Sequence, residues 1–212
     1  MAMRDNRVTP ENVAHATALG QVFYRIPAND DATRIANRTM QAEACMAAGD
    51  FKGAVPHLAR IVELAPADAK ARYFYGAALW QAGQHDRAVE ELREAVRLKP
   101  DWDRPFVEIA IVWLNRGMPD QALFTLQSEG SRFREGSDHF NATEGIALRL
   151  LSRLDEALVA FERATRLNPQ HALAFDLAAD CAFRLFDKVK GRRYAKLALD
   201  LGRDESWRRY CT

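Results

Sequence analysis

The residues of this chain whose types could do chemistry are five histidines, three cysteines and a basic run near the C-terminus. His15, His57, His85, His139 and His171 could ligate a metal or move a proton. None of them stands beside a second ligand type at a helical or loop spacing that suits an ion. Cys45, Cys181 and Cys211 are far apart and form no CxxC pair, so neither a zinc ribbon nor a redox dithiol is expected. They read as small apolar residues and one tail thiol. No phosphate-cradling GxxxxGK[ST] loop, HExxH, GxSxG or GxGxxG is present. The expectation is a chain with no catalytic residue, no metal and no cofactor. Between Arg184 and Arg209 nine basic residues face four acidic ones, densest over Lys188-Val189-Lys190-Gly191-Arg192-Arg193. That run reads as a solvated turn between helices, with a phosphate or acidic partner as the alternative. The glycosylation-like triplets Asn37-Arg38-Thr39 and Asn141-Ala142-Thr143 fall inside expected helices and read as chance.

Charge and hydropathy narrow the classes further. Lys and Arg number 30 and Asp and Glu 29 in 212 residues, a net charge of +1. That balance is no global signature of nucleic-acid or anionic-membrane binding. The longest apolar run, Ile109 to Leu114, is far shorter than the ~20 residues a membrane-spanning helix needs. The first twenty residues carry an early charge and no sustained apolar stretch, unlike a secretory leader, so a cytoplasmic location is expected.

The elements that must position any site are read from one stretch, Ala69 to Trp102. Tyr75, Ala78, Leu79 and Ala82 recur at helical spacing. Gly83 then suits a left-handed end. Asp86 is expected as the N-cap of a second helix, whose apolar face is Ala88, Val89, Leu92, Ala95, Val96 and Leu98. Pro100 ends it. The same types return at the same offsets in residues 35–68, 103–136, 138–171 and, more weakly, 172–205. Ala54, Ala88, Ala122 and Ala157 share one offset, Ala95 and Ala164 a second, and Gly76 and Gly145 a third. These eight are expected to set the spacing of paired helices. Pro66, Pro100 and Pro169 close their units.

This ladder resembles the tetratricopeptide repeat family. The resemblance covers residues 35 to 205 and implies an all-α, right-handed α-solenoid of about five helix–turn–helix repeats. It also implies that the job is holding another polypeptide, through a concave face lined by the first helix of each unit. By offset that face comprises Thr39, Glu43 and Met46; Lys70, Tyr73, Ala77 and Trp80; Arg104, Val107, Ile111 and Leu114; His139, Ala142, Ile146 and Arg149; and Asp176, Asp180 and Phe183. An apolar stripe of Tyr73, Trp80, Val107, Ile111 and Leu114, rimmed by Lys70, Arg104 and Arg149, would take an amphipathic helix or an extended peptide. Some of these side chains could instead be shared with the core. The family's clamp for a chaperone C-terminal carboxylate needs Lys, Asn, Asn, Lys and Arg where this chain has Ala36, Met40, Phe74, Arg104 and Glu108. Only Arg104 is compatible, so that role is not expected.

Four departures from the pattern carry expectations of their own. The third unit has Glu129 in place of the later Ala and lacks the closing Pro, which predicts a shortened second helix and an irregular Gly130–Ser137 connection. Gly191 replaces the packing Ala in the fifth unit, which predicts fraying at a cost of roughly 1 kcal/mol. Pro56 should fall in the first turn of its helix. Residues 1–34 should form an N-terminal extension whose extra helix, from Thr9 to about Arg25, caps the stack. That helix could instead dock in the groove of a second copy, making a homo-oligomer. A long helix should start at Asp30 or Asp31, and residues 206–212 should form a tail with Trp207 and Tyr210 over the last unit. A regulatory repeat region beside a separate catalytic domain is a weaker alternative.

Overall fold

The computed structural model describes residues 30–203. The helix expected over residues 9–25, the tail bearing Trp207 and Tyr210, His15 and Cys211 lie outside the described residues. Ten α-helices follow one another, with no strand among the described residues. They are α1 (Asp31–Ala47), α2 (Phe51–Leu64), α3 (Ala69–Gln81), α4 (His85–Leu98), α5 (Arg104–Asn115), α6 (Pro119–Phe124), α7 (Asp138–Leu150), α8 (Leu154–Leu167), α9 (Ala172–Arg184) and α10 (Lys188–Asp200). Each helix packs mainly on the one before and the one after, and α3, α5, α7 and α9 also meet in succession along one side. The result is an all-α solenoid of helix pairs.

The period is written into the backbone at the turns. Gly49, Gly83 and Gly117 have φ of +74°, +84° and +72°, and Ser152 and Phe186 take the same left-handed conformation at 61° and 62°. Each follows an odd-numbered helix. After each, an amide reaches back five residues to close the turn: Asp50 to Cys45 O, Gln84 to Leu79 O, Met118 to Trp113 O, Arg153 to Leu148 O and Asp187 to Ala182 O, all at 2.8–2.9 Å. This arrangement satisfies carbonyls that a helix end otherwise orphans. At the N-termini, Asp30 accepts from Thr33 N at 2.6 Å and Asp50 from Gly53 N at 2.9 Å. Asp68 accepts from Lys70 N and Ala71 N, Ser137 from Phe140 N and Asp187 from Lys190 N.

Two local expectations are corrected. Asp86 does not cap α4: the helix starts at His85, its N-cap is Gln84 without a side-chain bond, and the Asp86 carboxylate instead takes a charge-assisted bond from Nη1 of Arg116, the C-cap of α5. Pro56 is not in the first turn of α2, because Asp50 caps the helix so that it opens at Phe51. Pro56 is exposed, and the helix runs through it to Leu64.

The spacing residues are all in the seam. Ala54, Ala88, Ala95, Ala122, Ala157 and Ala164 have no exposed surface. A Cβ on Gly76 would come within 2.7 Å of Leu92 Cγ, and one on Gly145 within 2.6 Å of the Phe161 ring. Gly191 belongs with them. It is buried at the start of α10, and a Cβ there would meet the Phe183 ring at 2.8 Å. The loss of helix propensity at Gly191 is therefore the condition for Phe183 to lie flat on α10, and α10 continues for 13 residues. Three apolar clusters follow the stack. The first joins α1 to α4, the second lies between α3, α4 and α5, and the third runs from α5 to α9. Trp80 bridges the first and second and Trp113 the second and third, so the seam is continuous. Cys181 is buried in the third cluster, and burial pushes its thiol up to about 11.

The third unit is irregular in the expected place. Its second helix is α-helical for six residues only, then runs as a π-turn over Thr125–Glu129 and a 3-10 turn over Ser131–Phe133.

Candidate partner-binding site

The odd-numbered helices carry the side chains expected to face a partner, and the structure separates them into two groups. Lys70 and Arg104 are exposed; Ala77, Trp80, Ile111, Leu114, Ile146 and Arg149 are half-buried. Tyr73 and Val107 are buried, at 9% and 6% exposure, and are corrected from groove to seam. The reason is a phase difference of one residue, about 100° around a helix. Tyr73 turns into the cluster with Val89, Leu92 and Ile109 and meets Trp102 in a tilted contact, 4.8 Å between ring centroids. Its neighbour Phe74 turns out, 45% exposed. Ala142 is buried as well, and Phe183 is drawn onto Gly191.

Phe74 marks an apolar recess of this face. A cavity of about 230 Å³ opens between α1 and α3, walled by Ile35, Thr39, Met46 and Phe74, floored by Leu58 and Ile61, and edged by Glu43, Asp68 and Lys70. Met40, at 68% exposure, lies on the same helix α1. Sequence reasoning placed Thr39, Glu43, Met46 and Lys70 here but missed Phe74. The signal was the adjacent Tyr73-Phe74 pair, of which only one ring can enter the seam.

Polar groups continue along the odd helices. Tyr73 donates its hydroxyl to Glu108 Oε1 at 3.2 Å. Burial first, and then the Glu108 carboxylate, push the Tyr73 phenol up to about 12, so it stays a donor at physiological pH. Burial also raises Glu108, partly offset by that same bond and by Arg104 and His139. Arg149 Nη1 pairs with Asp180 Oδ2 at 3.2 Å across α7 and α9, which ties one rim cation to the scaffold.

One group of ligand-type residues was not anticipated. Asp138, His139 and His171 come together where α7 and α9 begin, with a ligand atom from each within 4.8 Å of the others. The imidazole centroids are 5.5 Å apart. Burial pushes Asp138 up, but the Asn168 side-chain amide and the two imidazoles outweigh it and hold its carboxyl below the usual value. Burial lowers His171. The two histidines are far apart in sequence, and only the repeat period, which sets the starts of α7 and α9 side by side, could have signalled the meeting. Asn141, in the second glycosylation-like triplet, is fully buried and donates to Arg134 O and Ser137 O, so it offers no acceptor site.

Comparison with known proteins gives the fold a context. Residues 39–101 match the family model for the tetratricopeptide repeat. No curated protein matches the chain. Among solved structures, MamA from Desulfovibrio magneticus, residues 41 to the end, superposes with a TM-score of 0.65 at 18% identity, covering 82% of this chain and 97% of that one. PilF of Pseudomonas aeruginosa gives 0.70 at 18% identity, covering 82% and 79%. YrrB, described as a tetratricopeptide-repeat protein with an unusual peptide-binding site, gives 0.60 at 22% identity, covering 87% and 93%. Identities this low speak for the fold alone.

Proposed function

We propose that this chain, whose residues 39–101 match the tetratricopeptide-repeat model and whose fold resembles that of such proteins, is a non-catalytic scaffold. It holds a segment of another protein against its odd-numbered helices. The observation that carries this reading is the apolar recess between α1 and α3, with Phe74 and Met46 in its walls and Lys70 at its edge. A concave, largely apolar recess with a few polar groups at its rim is the usual form of a binding site. The occupant suited to it is an amphipathic helix or extended peptide. An apolar anchor of that segment enters beside Phe74, and an acidic flank lies along Lys70 and Arg104. The half-buried Trp80, Ile111 and Leu114 extend the contact along the face. YrrB supports the reading as a relative in fold that is described as binding peptide.

The variant of choice is Phe74→Glu, because Phe74 is 45% exposed and its loss leaves the seam intact. Trp80 is less suitable, since it bridges two apolar clusters. The expected outcome is an unchanged helical circular-dichroism spectrum, with loss of the proteins that the parent captures, identified by mass spectrometry. A folded variant that retains every partner of the parent removes the recess from the binding site.

A further inference from the structure

We propose that Asp138, His139 and His171 form a binding site for a first-row divalent transition-metal ion, of which zinc is the natural candidate. Each residue presents one ligand atom within 4.8 Å of the other two, a span that a single ion with bonds of about 2.0–2.2 Å can bridge with small side-chain rotations. Two imidazoles and one carboxylate with an open position are a donor set for zinc, cobalt, nickel or copper. Calcium and magnesium want more oxygen ligands than this cluster offers. The site also lies at the first residues of α7 and at the N-cap of α9, where the positive ends of both helix dipoles disfavour an ion held by charge alone. An ion bound through imidazole nitrogens tolerates that setting better than a purely electrostatic one.

The state of His171 points independently to a missing ligand. Its Nδ1 accepts the Ala174 amide at 3.4 Å, so the proton of the neutral ring sits on Nε2. That Nε2 is buried and has no hydrogen-bond partner, a situation that costs free energy unless something fills it. Coordination through Nε2 fills it: the metal takes the Nε2 lone pair and the ring proton passes to Nδ1, giving up only a long capping bond. Asn168 Nδ2, donating to Asp138 Oδ2 at 2.7 Å, fixes the carboxylate as the outer partner of a metal ligand does. His139 is exposed, which leaves the ion accessible and its remaining position open toward solvent.

Cobalt(II) and zinc(II) added to the metal-free chain test this. The expected result is one ion per chain, with visible d–d absorption for cobalt and a one-site calorimetric isotherm for zinc. Two variants separate the site from the other histidines. His139→Ala removes an exposed ligand, and His171→Asn keeps a side chain able to cap α9. Each should weaken binding by at least about 10- to 100-fold, the range already lost when outer partners of a metal site are removed, with an unchanged circular-dichroism spectrum. His85→Ala should bind as the parent does. Absence of cobalt bands and of a zinc isotherm in the parent overturns the proposal, and so does parent-like binding by a folded His139→Ala chain.

Discussion

A single missing carbon at residue 145 sets how closely α7 can lie on α8. Phe161 has no exposed surface, and its ring would stand 2.6–2.8 Å from a Cβ on Gly145. Two effects oppose each other in Gly145→Ala. Helix propensity favours the substitution by about 1 kcal/mol, while overpacking a well-filled seam costs roughly 1–3 kcal/mol. The ring is enclosed on all sides and cannot swing away, so the overpacking wins. The expected outcome is a net destabilisation, read as a fall of a few degrees in the melting midpoint. Phe186 presents the opposite balance. It holds φ at 62° where three of the five equivalent turns use glycine, and its side chain is 87% exposed. Phe186→Gly removes a left-handed penalty of roughly 1–2 kcal/mol and sacrifices almost no packing, although the unfolded chain gains freedom. The melting midpoint should rise; a fall would mean that the Phe186 side chain is engaged by something. At this scale the sequence was readable where side-chain volume is the signal, as at Gly76, Ala88 and Gly145. It was not readable where the signal is rotational phase. Tyr73 and Phe74 are chemically near-equivalent for periodicity, and which of two adjacent rings enters a seam depends on the crossing of α3 with α4 and α5.

Between helices, the loss of a repeat residue is made good by charge and stacking. The third unit has Glu129 in place of a packing alanine, and the chain has already left α-helical geometry at Thr125. The irregular stretch is nevertheless held from both sides. Arg132 bonds Pro100 O and lies over the Phe106 and Phe133 rings at 5.3 and 4.8 Å. Arg134 Nη2 meets Glu144 Oε1 at 2.7 Å, and Arg163 approaches the same carboxylate at 3.9 Å. Gly130 admits the Phe140 ring, which a Cβ would approach to 2.7 Å. The join between the third and fourth units is thus a packed joint. Glu144 is only 2% exposed, so its charge needs its partners. Arg134→Ala should destabilise the chain by up to about 3 kcal/mol, below the full cost of orphaning a buried charge because Arg163 and Gln127 remain. Adding Glu144→Leu to that variant should recover part of the loss, since an apolar replacement of a buried pair is often neutral. Denaturant midpoints of the single and double variants check both statements, and a double variant weaker than the single one would show that Glu144 serves more than this joint. The interruption itself was legible from the missing alanine and proline, but its repair was not, because Arg132 reaches Pro100 and Arg134 reaches Glu144 through contacts that the repeat pattern does not encode.

The molecule as a whole behaves as a row of neighbours. Helices meet those next to them in the chain, and α3, α5, α7 and α9 also meet in succession, while the apolar clusters form a sequence connected through Trp80 and Trp113. In such an array stability is a sum of unit and interface terms, so a local insult stays local to the extent that the neighbouring interfaces hold. Ala195 on α10 is fully buried, and Ala195→Asp places an unpaired carboxylate in the α9–α10 seam, a cost that falls first on that pair. Hydrogen exchange followed by mass spectrometry should then show lost protection over α9 and α10, with the amides of α1 to α4 as slow as in the parent. The α1–α3 recess lies in the protected half, so a Phe74-dependent partner should still bind the Ala195→Asp chain. Uniform loss of protection along the chain would mean that the units fold as one cooperative block, and that the bridging tryptophans couple the clusters more strongly than an array of neighbours allows.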